Sequence, residues 1–344
     1  MLNFRNDYGA GCIPEILEEI KNNNNIVHTG YGLDEQCEKA KEVIHSKMPD
    51  NDVDIYFVQE GTQANIVMIR CALKSYEAVI APDTGHIVRH ETGAIEATGH
   101  KVIIVPNHDG KITPDEVQKT YESHMIDSEK CVLPKMVYIS NCTELGTVYK
   151  REELEALHAK CQELGLYLIM DGDRMNTVLM SGVDYTLNDL PKWCDMFSIG
   201  GTKAGALFGE AVIVSNPELK PNFRYVLRQS AALIARGWLL GVQFRALFEN
   251  DAFYKNAAHE IELAQQIQSF LHDNGYSLLI RSETNLVFPV LTKEQFEYLA
   301  EYVDFDVWEK RDDMLIIRLV TSWSTTQEEV DQLCTYLKKA SELV

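Results

Sequence analysis

Several features that would place this chain in a special class are absent from its sequence. Eight cysteines occur among 344 residues, but no two of them form a Cys-x-x-Cys pair, which argues against a disulfide framework or a zinc site. No apolar run reaches the ~18 residues of a membrane span, and no apolar signal region follows the first methionine. Repeats and low-complexity stretches are also lacking. We therefore expect a cytoplasmic protein without membrane contact.

An excess of basic residues is lacking as well. The formal net charge is −20, from 52 acidic and 32 basic residues, and such a surface repels the phosphate backbone of nucleic acids. The hydrophobic share of 45% and the charged share of 24% are ordinary for globular domains. The composition argues against nucleic acid as a partner, and an anionic ligand would need a locally positive pocket.

The first two-thirds of the chain alternate short apolar runs with longer amphipathic segments. A helix is indicated at 152–164, where Leu154, Leu157 and Cys161 lie on one apolar stripe. Several apolar runs are continuous, as in strands covered on both faces. We predict seven strands, at 54–58, 78–81, 101–105, 136–140, 166–170, 196–199 and 211–214. This alternation predicts an α/β fold with a sheet between layers of helices.

The pattern changes after about residue 214. We predict one long helix at 224–247, kinked near Gly237, and a second helix at 252–271. Strand-like runs follow at 277–280, 286–290, 305–308 and 315–320. The last helix should begin at Thr325 or Thr326, because each has a glutamate three residues later, as in a capping box. We predict a large domain at 1–245, with an N-terminal arm, and a small α+β domain at 246–344.

Lys203 follows a predicted strand and the glycines Gly200 and Gly201. Ligands of open α/β sheets gather at the carboxyl ends of strands, where a partly desolvated lysine can become a nucleophile. The glycines would let the backbone approach a bound ring. A solvated loop lysine is the alternative, and the residues alone favour neither interpretation.

Asp171 ends the preceding predicted strand, so we expect its carboxylate at the same sheet edge as Lys203. Such a carboxylate can pair with the protonated ring nitrogen of a pyridine cofactor. A helix cap is an alternative role, as is a magnesium site shared with Asp173. Gly61 and Thr62 lie at a strand-to-helix turn, where free N–H groups bind phosphate.

His86 and Arg318 are two further candidates. His86 follows a predicted strand and can stack on a cofactor ring or take a proton, although a structural role is more common for a lone loop histidine. Arg318 lies within an apolar strand and therefore needs an acidic partner. That partner is either a carboxylate of the chain or the α-carboxylate of a substrate.

The order of these elements, phosphate turn, histidine, aspartate and lysine, is that of a fold-type I enzyme dependent on pyridoxal 5'-phosphate (PLP). In detail the chain resembles the threonine aldolase family over nearly its whole length. The resemblance rests on Phe4-Arg-Asn-Asp7, Gly30-Tyr-Gly32, Glu60-Gly-Thr62, Gly85-His86 with His90-Glu91, Asp171-Gly-Asp-Arg174, Gly200-Gly-Thr-Lys203, Thr284-Asn-Leu-Val-Phe288 and Arg318-Leu-Val-Thr321. It implies a PLP-dependent transferase-like large domain with a mostly parallel seven-stranded sheet, and a small C-terminal domain.

The resemblance also implies roles for single residues around the cofactor. Lys203 would hold PLP as a Schiff base, Asp171 would pair with its ring nitrogen, and His86 would stack on the ring near the substrate hydroxyl. The phosphate would be held by Gly61 and Thr62, and by Arg236 of a neighbouring subunit. No metal ion is implied.

The resemblance assigns the substrate to a second set of residues: Asn6, Tyr31, Arg174 and Arg318. Arg174 and Arg318 would clamp the substrate carboxylate, and Tyr31 would reach the site of a partner subunit. The resemblance thus implies a homodimer or homotetramer with sites at the subunit interface. The chain departs from the family pattern at three positions, with Asn6 and Glu60 in place of serine and Asp173 in place of alanine.

The function that these observations predict is a PLP-dependent lyase. It would cleave the Cα–Cβ bond of threonine, allo-threonine or a related β-hydroxy amino acid into glycine and an aldehyde. A β-eliminating lyase or an aminotransferase on the same scaffold is a second hypothesis. A PLP-fold protein that binds a ligand without turnover is a third.

Overall fold

The predicted alternation of strands and helices is present in the structure, a computed structural model that describes residues 1–343. Fourteen strands lie within this range: β1 (Leu2–Asn3), β2 (Asp54–Val58), β3 (Glu77–Pro82), β4 (Lys101–Val105), β5 (Leu133–Ser140), β6 (Tyr167–Asp171), β7 (Met196–Gly200), β8 (Glu210–Val214), β9 (Ser277–Leu278), β10 (Leu286–Val287), β11 (Pro289–Thr292), β12 (Val303–Asp304), β13 (Asp306–Arg311) and β14 (Met314–Val320).

Twelve α-helices connect these strands in the same part of the chain. They are α1 (Pro14–Asn23), α2 (Glu35–His45), α3 (Gly61–Ala72), α4 (His86–Arg89), α5 (Pro114–Met125), α6 (Arg151–Leu164), α7 (Met175–Met180), α8 (Phe223–Gln229), α9 (Trp238–Glu249), α10 (Ala252–Asp273), α11 (Lys293–Ala300) and α12 (Gln327–Ser341). Two short 3-10 helices, Glu96–Thr98 and Leu190–Lys192, complete the set. Between residues 1 and 343, no helix combines the length and the apolar character that a membrane crossing needs.

The central sheet has seven strands in the order β2-β8-β7-β6-β5-β3-β4. Strands β4, β3, β5, β6 and β7 are parallel, whereas β8 is antiparallel to both β7 and β2. The seven predicted strands all belong to this sheet, so the mostly parallel seven-stranded sheet is confirmed. Because β8 is reversed, β2 runs in the same direction as β7, and their carboxyl ends share one edge.

The central sheet is buried on both faces. In β5, the side chains of Val137 and Ile139 join one apolar cluster, while those of Met136 and Tyr138 join another on the opposite face. Successive side chains of a strand point to opposite faces, so a strand covered on both sides must be apolar throughout. This is the physical reason for the continuous apolar runs in the sequence.

The C-terminal part of the chain has its own antiparallel sheet, in the order β10-β14-β11-β9, with β13 also paired to β14. Its core includes Leu263 and Ile267 of α10 together with Phe4, and β1 pairs in parallel with β12. Residues 2–4 therefore pack with the C-terminal part of the chain. The predicted domain boundary at 245/246 falls inside α9, and the division into domains stays a prediction.

The predicted helix at 224–247 is wrong as a single element. Helix α8 ends at Gln229, Ala231 has a left-handed φ of 55°, and α9 begins only at Trp238. A Cβ on Gly237 would lie 2.3 Å from the backbone nitrogen of Gly32, so another loop meets the chain where the helix would continue. The predicted strand at 286–290 is likewise divided into β10 and β11. The last helix does begin after Thr326, which forms a capping box with Glu329.

Candidate active site

The predicted cofactor residues converge on the carboxyl edge of the central sheet. His86 follows β3, Asp171 ends β6, Lys203 follows β7 and Gly61 begins the helix after β2. These strands all run in one direction, so their carboxyl ends open onto the same edge. The order β7-β6-β5-β3 brings Lys203, Asp171 and His86 close together although more than a hundred residues separate the first from the last.

Lys203 forms an ion pair with Asp173. The two side chains are only 12% and 19% exposed, so Lys203 is not the solvated loop lysine of the alternative interpretation. Burial raises the pKa of Asp173, but the charges of Lys203 and Arg174 outweigh it and hold that pKa below its ordinary value. Asp173 thus stays ionised and faces the lysine, which does not support a shared magnesium site with Asp171.

Asp171 is fixed by three hydrogen bonds. Its Oδ2 accepts from Asn65 Nδ2 at 2.8 Å and from the Tyr138 hydroxyl at 2.8 Å, while its Oδ1 accepts from the backbone N–H of Asp173 at 3.1 Å. The side chain of Asp171 is buried. A buried carboxylate with this many donors is held in a fixed orientation, as pairing with a ring nitrogen requires.

His86 lies at the first position of α4, and its side chain is 31% exposed. Its Nδ1 is 2.8 Å from Oε1 of the buried Glu91, which also accepts from Asn65 Nδ2 at 2.8 Å. With Nδ1–H donated to a carboxylate, Nε2 is the nitrogen left to accept a proton. Burial lowers the pKa of His86, but the bond to Glu91 and the charge of Asp171 outweigh it, so that pKa is raised.

His86, Glu91 and Asp171 also place potential metal-ligand atoms within 4.8 Å of one another. The Asn65 amide nitrogen donates to both carboxylates, and His86 bonds to Glu91. Because donors of the protein bond to one oxygen of Glu91 and to both oxygens of Asp171, we interpret the group as a hydrogen-bond network. The absence of a metal stays a prediction.

The N-terminus of α3 and the glycines beside it form a cradle for an anionic group. Glu60 stands at the N-cap position but makes no side-chain cap, so the first N–H groups of the helix are available to a ligand. A Cβ on Gly200 would lie 1.9 Å from the carbonyl oxygen of Asp173, which explains why this strand end needs glycine. A Cβ on Gly61 would lie 3.7 Å from the Asp173 carboxyl group.

These observations support a fit between the site and PLP, with one obstacle. A helix N-terminus suits a phosphate, a fixed buried carboxylate suits a ring nitrogen, and a lysine lies at the same edge. The carboxylate of Asp173 borders the phosphate cradle and repels a second anion. Asp173 pairs with Lys203, however. A cofactor bonded to Lys203 would therefore alter this ion pair as well.

A cavity of about 770 Å³ opens beside these residues, within the size range of small-molecule sites. Its walls include His86, Glu144, Lys203 and Trp308. The two arginines that the resemblance assigned to the substrate carboxylate, Arg174 and Arg318, also line it. The cavity therefore joins two predicted cofactor residues, His86 and Lys203, to these two arginines, whereas Gly61, Thr62 and Asp171 do not line it.

The two arginines are held differently. Arg174 donates through Nε and Nη2 to the carboxylate of the buried Asp7, at 2.6 and 3.1 Å. Arg318 donates through Nη2 alone to Asp306 at 2.6 Å, and its buried Nε has no partner within residues 1–343. Arg318 thus retains donors for a carboxylate, whereas Asp7 already engages two donors of Arg174. The role of each arginine toward a substrate stays a prediction.

Three further predicted residues, Tyr31, Arg236 and Asn6, lie outside the cavity wall as well. Tyr31 and Arg236 are exposed on one surface, where the backbone N–H of Tyr31 donates to Ala235 at 3.2 Å. Asn6 accepts from the backbone N–H of Tyr8 at 3.2 Å, which stabilises the turn that places Tyr8 in the cavity wall. The structure brings together the cofactor residues and the arginines, but not these three.

Several site residues were not predicted from the sequence. Asn65 and Tyr138 donate hydrogen bonds to Asp171, and Glu144, a residue that is 8% exposed, follows β5. One signal was readable: Tyr138 and Ser140 are polar residues two apart in an apolar strand, so they share a face. Asn65 lies one turn into a helix and carried no such signal.

Comparison with known proteins agrees with this geometry. The family described as β-eliminating lyase matches residues 3–294. A low specificity L-threonine aldolase of Pseudomonas sp. (strain NCIMB 10558) is 31% identical over 301 residues, which cover 86% of each protein. The solved structure of a Leishmania major threonine aldolase is 42% identical with a TM-score of 0.96, and 99% of this chain and 100% of that one are covered.

More distant structures share only the fold. An aspartate aminotransferase from Thermus thermophilus has a TM-score of 0.72 at 15% identity, with 99% of this chain and 91% of the aminotransferase covered. The predicted fold-type I architecture is confirmed.

Proposed function

The chain belongs to the threonine aldolase family, within the β-eliminating lyases, and on this premise we propose that it cleaves threonine or a related β-hydroxy amino acid. The products are glycine and an aldehyde, and the cofactor is PLP. The observation that carries the proposal is the convergence of Lys203, Asp171 and His86 at one sheet edge, beside the uncapped N-terminus of α3.

The residues of the chain have distinct tasks in this function. Bound PLP supplies an electron sink for the pair of electrons left on Cα. Lys203 holds the cofactor, Asp171 keeps its ring nitrogen protonated, and the N–H groups of Gly61 and Thr62 bind its phosphate. His86 lines the cavity with its Nδ1 bonded to Glu91, and it would stack on the cofactor ring near the substrate hydroxyl.

Arg318 is our first candidate for binding the substrate carboxylate. Its guanidinium group lies 5.7 Å from the centre of the Trp308 ring, and it uses one Nη2 donor for Asp306. A planar guanidinium group with further donors matches the geometry of a carboxylate. Arg174 is the second candidate, and its pair with Asp7 orients it in the cavity wall.

A second copy of the chain is the partner that we propose. The exposed ring of Tyr31 lies 4.4 Å below the guanidinium group of Arg228, and the adjacent Arg236 is exposed. A tyrosine with nearby arginines on an exposed surface suits an interface, and the positive charge suits a phosphate in the neighbouring subunit. The proposal includes a homodimer or homotetramer in the cytoplasm, where eight free thiols would stay reduced.

The experiment that tests this function is a spectrum of the purified protein followed by product analysis. Wild-type protein should be yellow, and borohydride should attach the cofactor to the peptide that contains Lys203. Lys203→Ala should fold but lose this attachment. The matched control is Lys220→Ala, because Lys220 is 15% exposed and pairs with Asp52 outside the cavity.

The products separate the proposed function from its rivals. Addition of L-threonine or L-allo-threonine should release glycine and acetaldehyde. Ammonia with an oxo acid would instead indicate β-elimination, and an amino-group transfer would indicate an aminotransferase. A coloured protein without any turnover would support a binding protein, and a colourless protein would refute PLP as the cofactor.

A further inference from the structure

Glu144 is a buried acid in the cavity wall that none of the roles above uses. It follows β5, whose last residue Ser140 is paired in register with Asp171 on β6. The residue is 8% exposed and lines the same cavity as His86 and Lys203. Both oxygens of a buried carboxyl group normally have hydrogen-bond partners, and an oxygen without a partner calls for an explanation such as a function.

Only one oxygen of Glu144 has such a partner. Ser140 Oγ donates to Oε1 at 2.6 Å, whereas the buried Oε2 has no hydrogen-bond partner within residues 1–343. The Ser140 bond orients the carboxyl group and leaves Oε2 as the oxygen without a donor.

The neighbouring hydroxyl groups cannot satisfy Oε2. Tyr138 gives its single proton to Asp171 Oδ2 at 2.8 Å, and Ser140 gives its proton to Glu144 Oε1. The Tyr138 and Ser140 oxygens lie 3.2 Å apart, but with both protons committed no hydrogen bond joins them. Oε2 of Glu144 is therefore left unpaired.

The surroundings of Glu144 place its titration near neutral pH. Burial raises its pKa to about 7, although the Ser140 bond, a backbone N–H and the charge of His86 oppose the rise, and Asp171 adds to it. The other titratable groups that interact with it lie on β5 and on the segment after β5: Tyr138, Cys142 and Tyr149. The other charged or titratable residues that line the same cavity are Tyr8, Arg89, His90, Arg174, Lys203, Asp306, Glu309 and Arg318.

We propose that Glu144 is a second acid–base group of this site and takes the proton of the substrate β-hydroxyl group on Oε2. The inference rests on the proposed function. In the cleavage direction the β-oxygen loses its proton to Glu144, the Cα–Cβ bond breaks and the carbonyl group of the aldehyde forms. The electron pair stays on Cα, which takes up a proton to give glycine, and Glu144 returns its proton to solvent.

Glu144 and His86 complement each other in this role. The raised pKa of His86 keeps more of its imidazole protonated at neutral pH, and a protonated imidazole cannot accept a proton. A carboxyl group with a pKa of about 7 is ionised in part at the same pH and is therefore available as a base.

Glycine provides a substrate that separates this role from a structural one. It has Cα protons but no β-oxygen, so exchange of its α-proton in deuterated water uses the cofactor, Lys203 and Asp171 without the proposed base. We would measure this exchange and threonine cleavage across pH in the holoenzyme, for wild type, Glu144→Gln and Glu144→Asp. Glu77→Gln is the matched control. Glu77 is also a buried acid, but it lies at the amino end of β3, whereas the site lies at the carboxyl end, and it accepts from the backbone N–H of Lys74 at 2.7 Å.

Glu144→Gln should slow cleavage by about 10²- to 10⁴-fold and lose the rise of cleavage near pH 7, while glycine exchange stays within a few-fold of wild type. Glu144→Asp should keep a pH-dependent rise at a reduced rate, and Glu77→Gln should match wild type. Equal losses of cleavage and exchange in Glu144→Gln, or wild-type cleavage with an unchanged pH profile, would overturn the proposal. A wild type that neither cleaves threonine nor exchanges glycine would refute the proposed function itself.

An infrared measurement tests the titration without any substrate. The difference spectrum between wild type and Glu144→Gln should contain the band of a protonated carboxyl group, which disappears as the pH rises through about 7. If Glu144→Gln does not fold, the difference spectrum between wild type and Glu144→Asp can be used instead. The band of the protonated carboxyl group should then lie at a different frequency in the variant. The absence of a band that titrates near neutral pH would contradict the proposal.

Discussion

Arg318 offers the sharpest test of how the cavity binds a substrate. Its side chain is 17% exposed, it donates once to Asp306, and its Nε is buried without a partner between residues 1 and 343. Asp306 also accepts from Nη1 of Arg5 at 3.1 Å. Arg318→Leu therefore removes the donors that face the cavity, while Asp306 keeps a second cation.

The size of the effect follows from these contacts. Hydrogen bonds between charged groups contribute about 1.5–3 kcal/mol, so the loss of a carboxylate contact of 2–3 kcal/mol should raise KM roughly 30- to 150-fold. The pair with Asp306 is partly exposed, and its loss should lower the free energy of unfolding by about 1 kcal/mol or less. Binding should thus suffer much more than stability.

The assay is release of glycine from threonine over a range of substrate concentrations, together with urea unfolding of each variant. Arg5→Leu is the matched control, because Arg5 also pairs with Asp306 but does not itself line the cavity. It should keep the wild-type KM. Equal KM values for Arg318→Leu and Arg5→Leu, with a clear loss of stability in the former, would mean that Arg318 only supports the fold.

Four further outcomes are expected. Asp171→Asn should keep the cofactor colour but lower turnover more than tenfold, above about 1.4 kcal/mol in the barrier, and unchanged turnover would assign the ring nitrogen to another acid. His86→Phe should keep the colour and slow cleavage by about 10²- to 10⁴-fold if Nε2 is a base, whereas near-normal cleavage would leave it a stacking role. Asp7→Asn leaves Arg174, whose side chain is 14% exposed, without its carboxylate, so urea unfolding should show a loss of about 3 kcal/mol or more; a smaller loss would mean that solvent stabilises Arg174. Because the pKa of Glu144 is raised from 4.5 to about 7, its contribution to stability is present below pH 4.5 and disappears as the pH rises through 7, so wild type should lose up to about 3 kcal/mol relative to Glu144→Gln over that range, and parallel pH curves would contradict the raised pKa.

The central sheet was predictable because its strands are buried on both faces. β2 and β4 have the predicted bounds, and the other five differ by three residues or fewer at either end. The break between α8 and α9 was not predictable from local pattern, since helical periodicity continues through residues 230–237. The close approach of the loop at Gly32 to Gly237 is a tertiary contact that local pattern does not reveal.

The candidate site was predictable where function follows from position at a strand end. Lys203, Asp171 and His86 were found in this way, and the cavity contains both arginines. The partners of these residues were not predictable. Asp7 forms an ion pair with Arg174, which is 167 residues later in the chain. Glu144 accepts a hydrogen bond from Ser140, and the path of the loop between them depends on the sheet beneath it.

The pairing of β1 with β12 has a consequence for synthesis on the ribosome. Leu2 pairs with Val303, so residues 2–7 emerge about 300 residues before their partners, which is about 15–60 s at 5–20 residues per second. Asp7 belongs to this early segment, and Arg174 must wait for it to dock. A nascent chain that stops short of residue 303 can therefore contain the central sheet and Lys203 and still lack the finished wall of the cavity.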